Sequence, residues 1–274
     1  MANEAKSYKD YERAYKGYHY SVLKPEMLDY LHATTLKMLK IIIPILEKEK
    51  IRYFICDSTL LGAITLADFI PWDDDIDLCV LEEDYEKMTA ALLSQLPDWM
   101  LVQCKATEPN YYHGWIKIRD RNSHIYPDEP LYACNGVFID LYKLSLVNTS
   151  EVEYLIAREH LDYLDRRYRA GGISQEERDQ RIKSNDLYQR MNTAAQAAQR
   201  AESEKGDVFL VWSPSKTLVE PVWCFHRKRY SFEGMELYSF FDAERYLIRK
   251  FGDNFRTLPQ EEKRQVTYNR VDVL

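Results

Sequence analysis

The chain has 274 residues, 46% of them hydrophobic, and a formal net charge of −7. That length allows one large domain, or one domain with a smaller helical appendage, and ample room for a buried core. The acidic balance argues against nucleic acid or an anionic membrane as partner, no apolar run approaches the ~18 residues of a membrane span, and five scattered cysteines (Cys56, Cys79, Cys104, Cys134, Cys224) without a C-x-x-C pair argue against zinc or a disulfide framework.

Residues 1–24 read as a polar, tyrosine-rich arm with no apolar signal segment behind Met1–Lys6, so a cytoplasmic location is expected. From Met27 to Glu49, apolar positions recur at three- and four-residue steps through Leu28, Leu31, Thr35, Leu39, Ile42 and Leu46. That spacing predicts an amphipathic helix packed on a sheet, kinked or restarted at Pro44. Ile51–Cys56 is rich in β-branched and aromatic residues and predicts a strand. Ser58 then suits the N-cap of a short helix from Thr59 to Leu66. The free amides and dipole at Ser58 and Thr59 favour a phosphate, and Gly62 permits close backbone approach.

Next comes Phe69-Ile70-Pro71-Trp72-Asp73-Asp74-Asp75-Ile76-Asp77-Leu78-Cys79-Val80. Four carboxylates stand within five positions with no adjacent Lys or Arg, an arrangement that forces pKa values upward unless a counter-charge arrives. The apolar run behind them reads as a strand, so Asp75, Asp77 and Asp73 project one way while Ile76 and Leu78 face the other. Oxygens aimed at one point suit Mg2+, with Mn2+ as the alternative ion. A solvated acidic turn is the plainer reading, yet such a turn does not normally lie between Phe-Ile-Pro-Trp and a buried strand.

Glu82 to Leu96 repeats the helical pattern until Pro97, and Leu101–Cys104 reads as a short strand. Tyr111–Arg119 reads as a further strand in which Trp115, Lys117 and Arg119 share a face, as an exposed basic edge or as a phosphate contact. Asn135–Tyr142 is an apolar strand holding a lone acid, Asp140, which needs a partner or a metal if it is buried. From Glu151 the pattern turns to charged helix, broken at Gly171-Gly172 and reopened by a capping box at Ser174–Glu177 that leads a helix toward Lys205. Val208–Trp212 resumes strand character, and His226–Tyr230 is the strongest basic run, read as a solvated edge strand or a seat for an anion.

Ser58-Thr59-Leu60-Leu61-Gly62-Ala63 followed by Phe69–Asp77 resembles the motif of the LicD family, and Phe232-Glu233-Gly234 through Phe251-Gly252-Asp253 to Leu258-Pro259 is similar to the C-terminal part of its members. That family groups bacterial phosphocholine transferases with fukutin-type phosphoribitol transferases. The resemblance implies an α/β, nucleotidyltransferase-like fold: a mixed central sheet flanked by helices over residues 25–265, a helical insertion at about 150–205, and a tail at 266–274. It implies an enzyme moving a phospho-alcohol, phosphocholine first, from a CDP-linked donor to a hydroxyl of a cell-surface glycan or its precursor, without a transmembrane segment and at most peripheral to a membrane. Asp75, Asp77 and Asp140 would be catalytic and, with Asp73, hold the metal. Ser58, Thr59, Gly62 and Lys117 would bind the donor. The rival expectations are a nucleotidyltransferase using CTP or ATP and a catalytically silent nucleotide-binding scaffold. Thr65, Leu66, Ala67 and Asp68 stand where relatives usually carry Arg, then His or Lys, then a small acidic or basic residue, then Gly, and Ser58 replaces a glycine.

Overall fold

The computed structural model describes residues 25–126, 132–198, 208–211, 218–221, 226–257, 259, 264, 266, 268 and 270–274. The expected arm at 1–24, the end of the insertion at 199–205, Trp212, Cys224 and Leu258 lie outside the described residues.

Helix α1 (Pro25–Lys48) runs through Pro44 as one element and does not restart there. Its predicted stripe is the core face: Leu28, Leu31, Thr35, Leu39, Ile42 and Leu46 are all buried, with the Thr35 hydroxyl donating to Leu31 O at 2.9 Å. Strand β1 (Tyr53–Ile55) leads into α2 (Asp57–Thr65). Then come β2 (Ile76–Leu81), α3 (Glu82–Gln95), β3 (Met100–Gln103), β4 (Ile116–Asp120) and β5 (Ser123–Tyr126). The long β6 (Phe138–Val147) precedes a helical insertion of α4 (Val152–Arg169), α5 (Gln175–Ser184) and α6 (Leu187–Ala198). Strands β7 (Val208–Val211), β8 (Leu218–Pro221), β9 (Arg227–Phe232) and β10 (Met235–Phe240), helix α7 (Ala243–Phe251) and β11 (Arg270–Val273) complete the chain.

Among the described residues the central sheet has seven strands, with β1-β2-β6-β4-β3 as its main path, β7 joined to β6 and β8 joined to β7. It is mixed: β2 and β6 pair in parallel, while β1–β2, β4–β6, β3–β4 and β6–β7 are antiparallel. All six residues of β2 are buried, so both of its faces are covered. This is the α/β class that the sequence implies: a mixed central sheet with flanking helices and a helical insertion.

Four local expectations change. Strand β4 begins at Ile116; Tyr111 and Tyr112 instead pack with Tyr132, Tyr163 and Leu164 in a second apolar cluster beneath the insertion. The exposed-edge reading of Lys117 and Arg119 fails because β4 lies between β3 and β6, and both side chains are buried. Ser174 does cap its helix, accepting from Glu177 N at 3.1 Å, but that helix stops at Asn185 and a new one starts at Leu187. Asp186 between them takes a left-handed φ of 50°, which a helix interior does not allow. Residues 270–273, expected within the tail, form β11 against β5.

The basic run lies in β9, which pairs with β10 through a two-residue turn at Glu233 (φ 48°) and Gly234 (φ 71°). Arg227 and Arg229 lie over the Tyr238 ring at 4.3 and 4.4 Å, so these cations are spread along a solvated ribbon and stack on it. Among the described residues no helix is long and apolar enough to cross a membrane.

Candidate active site

Three adjacent strands set the site. In the parallel register of β2 with β6, Asp77 lies beside Asp140. In the antiparallel register of β6 with β4, Asp140 lies beside Lys117. Asp77, Asp140 and Lys117 therefore form a row across the sheet on one face. Asp75 adds its carboxylate from the chain just before β2, and one oxygen from each of Asp75, Asp77 and Asp140 lies within 4.8 Å of the others. Asp77 and Asp140 are buried, and Asp75 is partly exposed.

Lys117 clamps Asp140, its Nζ donating to Oδ1 at 2.8 Å and Oδ2 at 3.0 Å. The ammonium also lies 3.6 Å from the centre of the Phe138 ring, which limits where it can move. Tyr142, two residues along β6 on the same face, donates its hydroxyl to Asp140 Oδ2 at 3.2 Å. Arg119 does not join the row: its Nε donates to Gln103 Oε1 at 2.8 Å and its Nη1 to Gly136 O at 2.9 Å.

Electrostatics follow from crowding. Burial, then the charges of Asp73 and Asp74, push the Asp75 carboxyl well above the usual range. Burial, then Asp75, does the same to Asp77. Asp73 is raised to about 8, first by burial and then by Asp74. Its Oδ2 is buried and has no hydrogen-bond partner among the described residues. The loop carrying these acids is held from α1, where His32 Nε2 donates to Asp73 O at 2.6 Å and the ring stacks on Phe69 with centroids 4.1 Å apart. Burial lowers the His32 pKa, which keeps the ring neutral in that role. Asp74 accepts from Tyr268 N at 3.3 Å. Crowded, proton-retaining carboxyls and an orphaned acid oxygen are what a divalent cation would relieve, and an all-oxygen donor set is the chemistry of a hard ion. The residues present thus fit a metal.

The upstream turn differs from expectation. Ser58 is not the N-cap; Cys56 holds that position with no side-chain cap. Ser58 lies inside the first turn, and its hydroxyl donates to Asp77 Oδ2 at 3.4 Å. Thr59 is buried, and its hydroxyl accepts from Asp77 N at 2.9 Å, so it fixes the acid strand and has no surface to offer a donor. Gly62 is required by the chain itself: a Cβ there would stand 2.3 Å from Asp68 O, so the close approach is to the 68–70 loop. Thr65 is buried with its hydroxyl on Leu61 O at 2.7 Å. Leu66 and Asp68 line a separate cleft of about 400 Å³ with Asp29, His32 and Glu233.

Sequence reasoning passed over Asp57, Lys250 and Tyr246. Asp57 takes a φ of 47°, which an Asp tolerates better than most residues. Its carboxylate accepts from Tyr246 Oη at 2.5 Å and Lys250 Nζ at 2.7 Å, both from α7. Burial alone would lower the Lys250 pKa, but the Asp57 charge and hydrogen bond raise it, with Asp77 adding to the effect. The available signal was Lys250 standing three residues before the Asp253 of the C-terminal motif.

Residues 50–160 match the family model described as LicD/FKTN/FKRP, nucleotidyltransferase domain. The chain is 39% identical over 61 residues to the lipopolysaccharide cholinephosphotransferase LicD of Haemophilus influenzae, covering 22% of this chain and 19% of that protein. It is 33% identical over 101 residues to the ribitol 5-phosphate transferase FKRP of Mus musculus, covering 35% of this chain and 20% of that one. The Homo sapiens FKRP matches to the same extent, at 33% over 101 residues. The matched segments thus span about a fifth of the length of these curated relatives, and the likeness at 232–259 lies beyond the matched domain.

Proposed function

Since residues 50–160 carry a LicD-type nucleotidyltransferase domain, we propose that the protein is a metal-dependent transferase moving a phospho-alcohol, phosphocholine first, from a CDP-linked donor to a hydroxyl of a cell-surface glycan or its precursor. The observation that carries this reading is the row Asp77–Asp140–Lys117 across three strands, with Asp75 beside it. A cytoplasmic location with at most peripheral membrane contact belongs to the same proposal, as does the assignment of residues 25–265 to one domain.

In this reading Asp75, Asp77 and Asp140 hold Mg2+, with Mn2+ as substitute, and Asp73 adds a further carboxylate nearby. The ion supplies charge neutralisation to the donor diphosphate. Ser58 and Thr59 hold Asp77 in place, one on its carboxylate and one on its amide. Lys117 binds both oxygens of Asp140 and fixes where they point, so a ligand role suits this carboxylate better. The proton of the acceptor hydroxyl is assigned to Asp73 Oδ2, which has no hydrogen-bond partner among the described residues and which a cation bound beside it would hold ionised and able to accept. The acceptor oxygen forms the new P–O bond, the P–O bond to the nucleotide breaks, and CMP leaves. Such chemistry depends on positioning and charge more than on a covalent residue.

The test is product analysis with CDP-choline, CDP-ribitol and CTP, each with Mg2+. Release of CMP from a CDP-alcohol, abolished by EDTA and lost in Asp77→Asn, is expected. Release of pyrophosphate from CTP with no turnover of either CDP-alcohol would replace this reading with nucleotidyl transfer.

A further inference from the structure

Strand β6 is ten residues long, and its two edges are used differently. One edge pairs with β2 through residues 139–144. The other pairs first with β4 through 138–141 and then with β7 through 144–147. Between those ladders Tyr142 and Lys143 have no strand partner on that edge among the described residues, and the two ladders diverge. Tyr85 from α3 closes the base of the fork, its hydroxyl donating to Leu141 O at 2.7 Å and accepting from Ile116 N at 3.0 Å.

A cleft of about 190 Å³ opens at this fork, between the sheet and α4 of the insertion. Trp115 and Tyr142 are its aromatic walls, with ring centroids 5.2 Å apart. Glu82, Lys143, Arg158 and Glu159 supply its polar rim. The rim acids are already matched: Lys143 Nζ reaches Glu82 at 2.8 Å and Arg166 reaches Glu159 at 2.8 Å. Tyr142 belongs to both sites, since its ring lines the cleft and its hydroxyl is bonded to Asp140.

This chemistry selects its ligand by exclusion. The volume lies below the ~300–1,000 Å³ of pockets that bury a drug-sized molecule, so a nucleotide does not fit. Two acids and two bases line the rim, so the lining carries no net charge to draw a phosphate or an ammonium ion. Aromatic faces together with ion-paired carboxylates and the exposed Arg158 guanidinium suit a neutral ring with apolar C–H faces and hydroxyls at its rim. We propose that this cleft is the acceptor subsite and seats one neutral sugar ring against Trp115 and Tyr142, with a hydroxyl directed toward the acid row. The role as acceptor subsite rests on the transferase reading; the binding of a sugar does not.

The experiment is saturation-transfer difference NMR on the full chain with methyl glycosides of glucose, galactose, N-acetylglucosamine and N-acetylgalactosamine, without donor. Ser145→Phe fills the cleft from its half-buried lining without removing a group from the acid row. Arg158→Ala, at an exposed helical position, guards against misfolding of the first variant. Signal to at least one glycoside is expected, weakened at least ~10-fold in Ser145→Phe and ~3-fold in Arg158→Ala. No signal to any of the four in the wild type, or equal affinity in both variants, would overturn the proposal. CMP release is measured in parallel: glycoside binding that Ser145→Phe removes, with no CDP-alcohol turned over, supports the cleft and removes the transferase reading.

Discussion

In the acid row, Asp77 and Asp140 are buried on neighbouring strands, with Asp73, Asp74 and Asp75 crowded beside them, and the structure sets Lys117 and Lys250 against the group. In the helical insertion, acids of the same type meet arginines at the half-exposed surface: Asp165 with Arg178 at 2.5 Å, Glu153 with Arg190 at 2.6 Å, Glu177 with Arg181 at 2.7 Å. Water and a nearby guanidinium satisfy each carboxylate of the insertion singly. The sheet withholds water from its acids and sets them close enough to oppose one another's ionisation. One region spends its charges on a solvated face; the other keeps them in a state that a cation or a proton must complete. The site is legible in that contrast.

The largest effect that sharpens the contrast is on turnover. Asp77→Asn should reduce CMP release at least ~100-fold, yet leave the cation-free fold as stable as the wild type or more so, because a repelling charge is gone. Unfolding of that variant, read by far-UV circular dichroism, would recast the row as a structural network. Next comes the clamp. Lys117→Met leaves Asp140 buried without its cation and should cost about 3–5 kcal/mol in denaturant unfolding, partly restored by Mg2+. A loss below about 1 kcal/mol would mean that Asp140 finds another partner.

The third effect concerns pH. Asp73 is raised to about 8 in the folded chain, so the fold retains a proton that the unfolded chain loses above ~4. A raised pKa contributes stability in full below the unfolded value, and that contribution is lost as pH rises toward the folded one. Without divalent cations the melting temperature should therefore fall from about pH 4 to about pH 8, and Asp73→Asn should flatten part of the fall. A wild-type profile identical to that of Asp73→Asn would contradict the assignment. The smallest effect belongs to the insertion, where Arg190→Gln, breaking the exposed pair with Glu153, should change stability by no more than about 1 kcal/mol.

Much of the row could be read in one dimension. Alternation of Asp75 and Asp77 with Ile76 and Leu78 is a period of two, and it sets which face each side chain takes, although burial does not alternate, because both faces of β2 are covered. The stripe of α1 is equally local. Asp140 was visible as a lone acid in an apolar strand, but its place beside Asp77 depends on a parallel pairing across some sixty residues, which no local pattern encodes. What the sequence concealed has physical causes. Asp57 enters α2 with a left-handed φ, which moves the start of the helix and takes Ser58 out of the capping position. Tyr111 and Tyr112 have strand-forming side chains, yet the aromatic cluster under the insertion buries them better than a longer β4 would. Thr65 shows the limit of reading a departure from a family pattern: the site is buried, so an added Arg would meet the core before it met a donor.

The central claim is that the acid row is a cation seat held partly protonated until it is filled. Isothermal titration of Mg2+ into the cation-free protein at pH 7, in two buffers of different ionisation enthalpy, measures both binding and protons released. The account predicts saturable binding with release on the order of one proton per ion, absent in the Asp75→Asn/Asp77→Asn double variant. Binding unchanged in that variant, or no binding to the wild type at millimolar Mg2+, would contradict it.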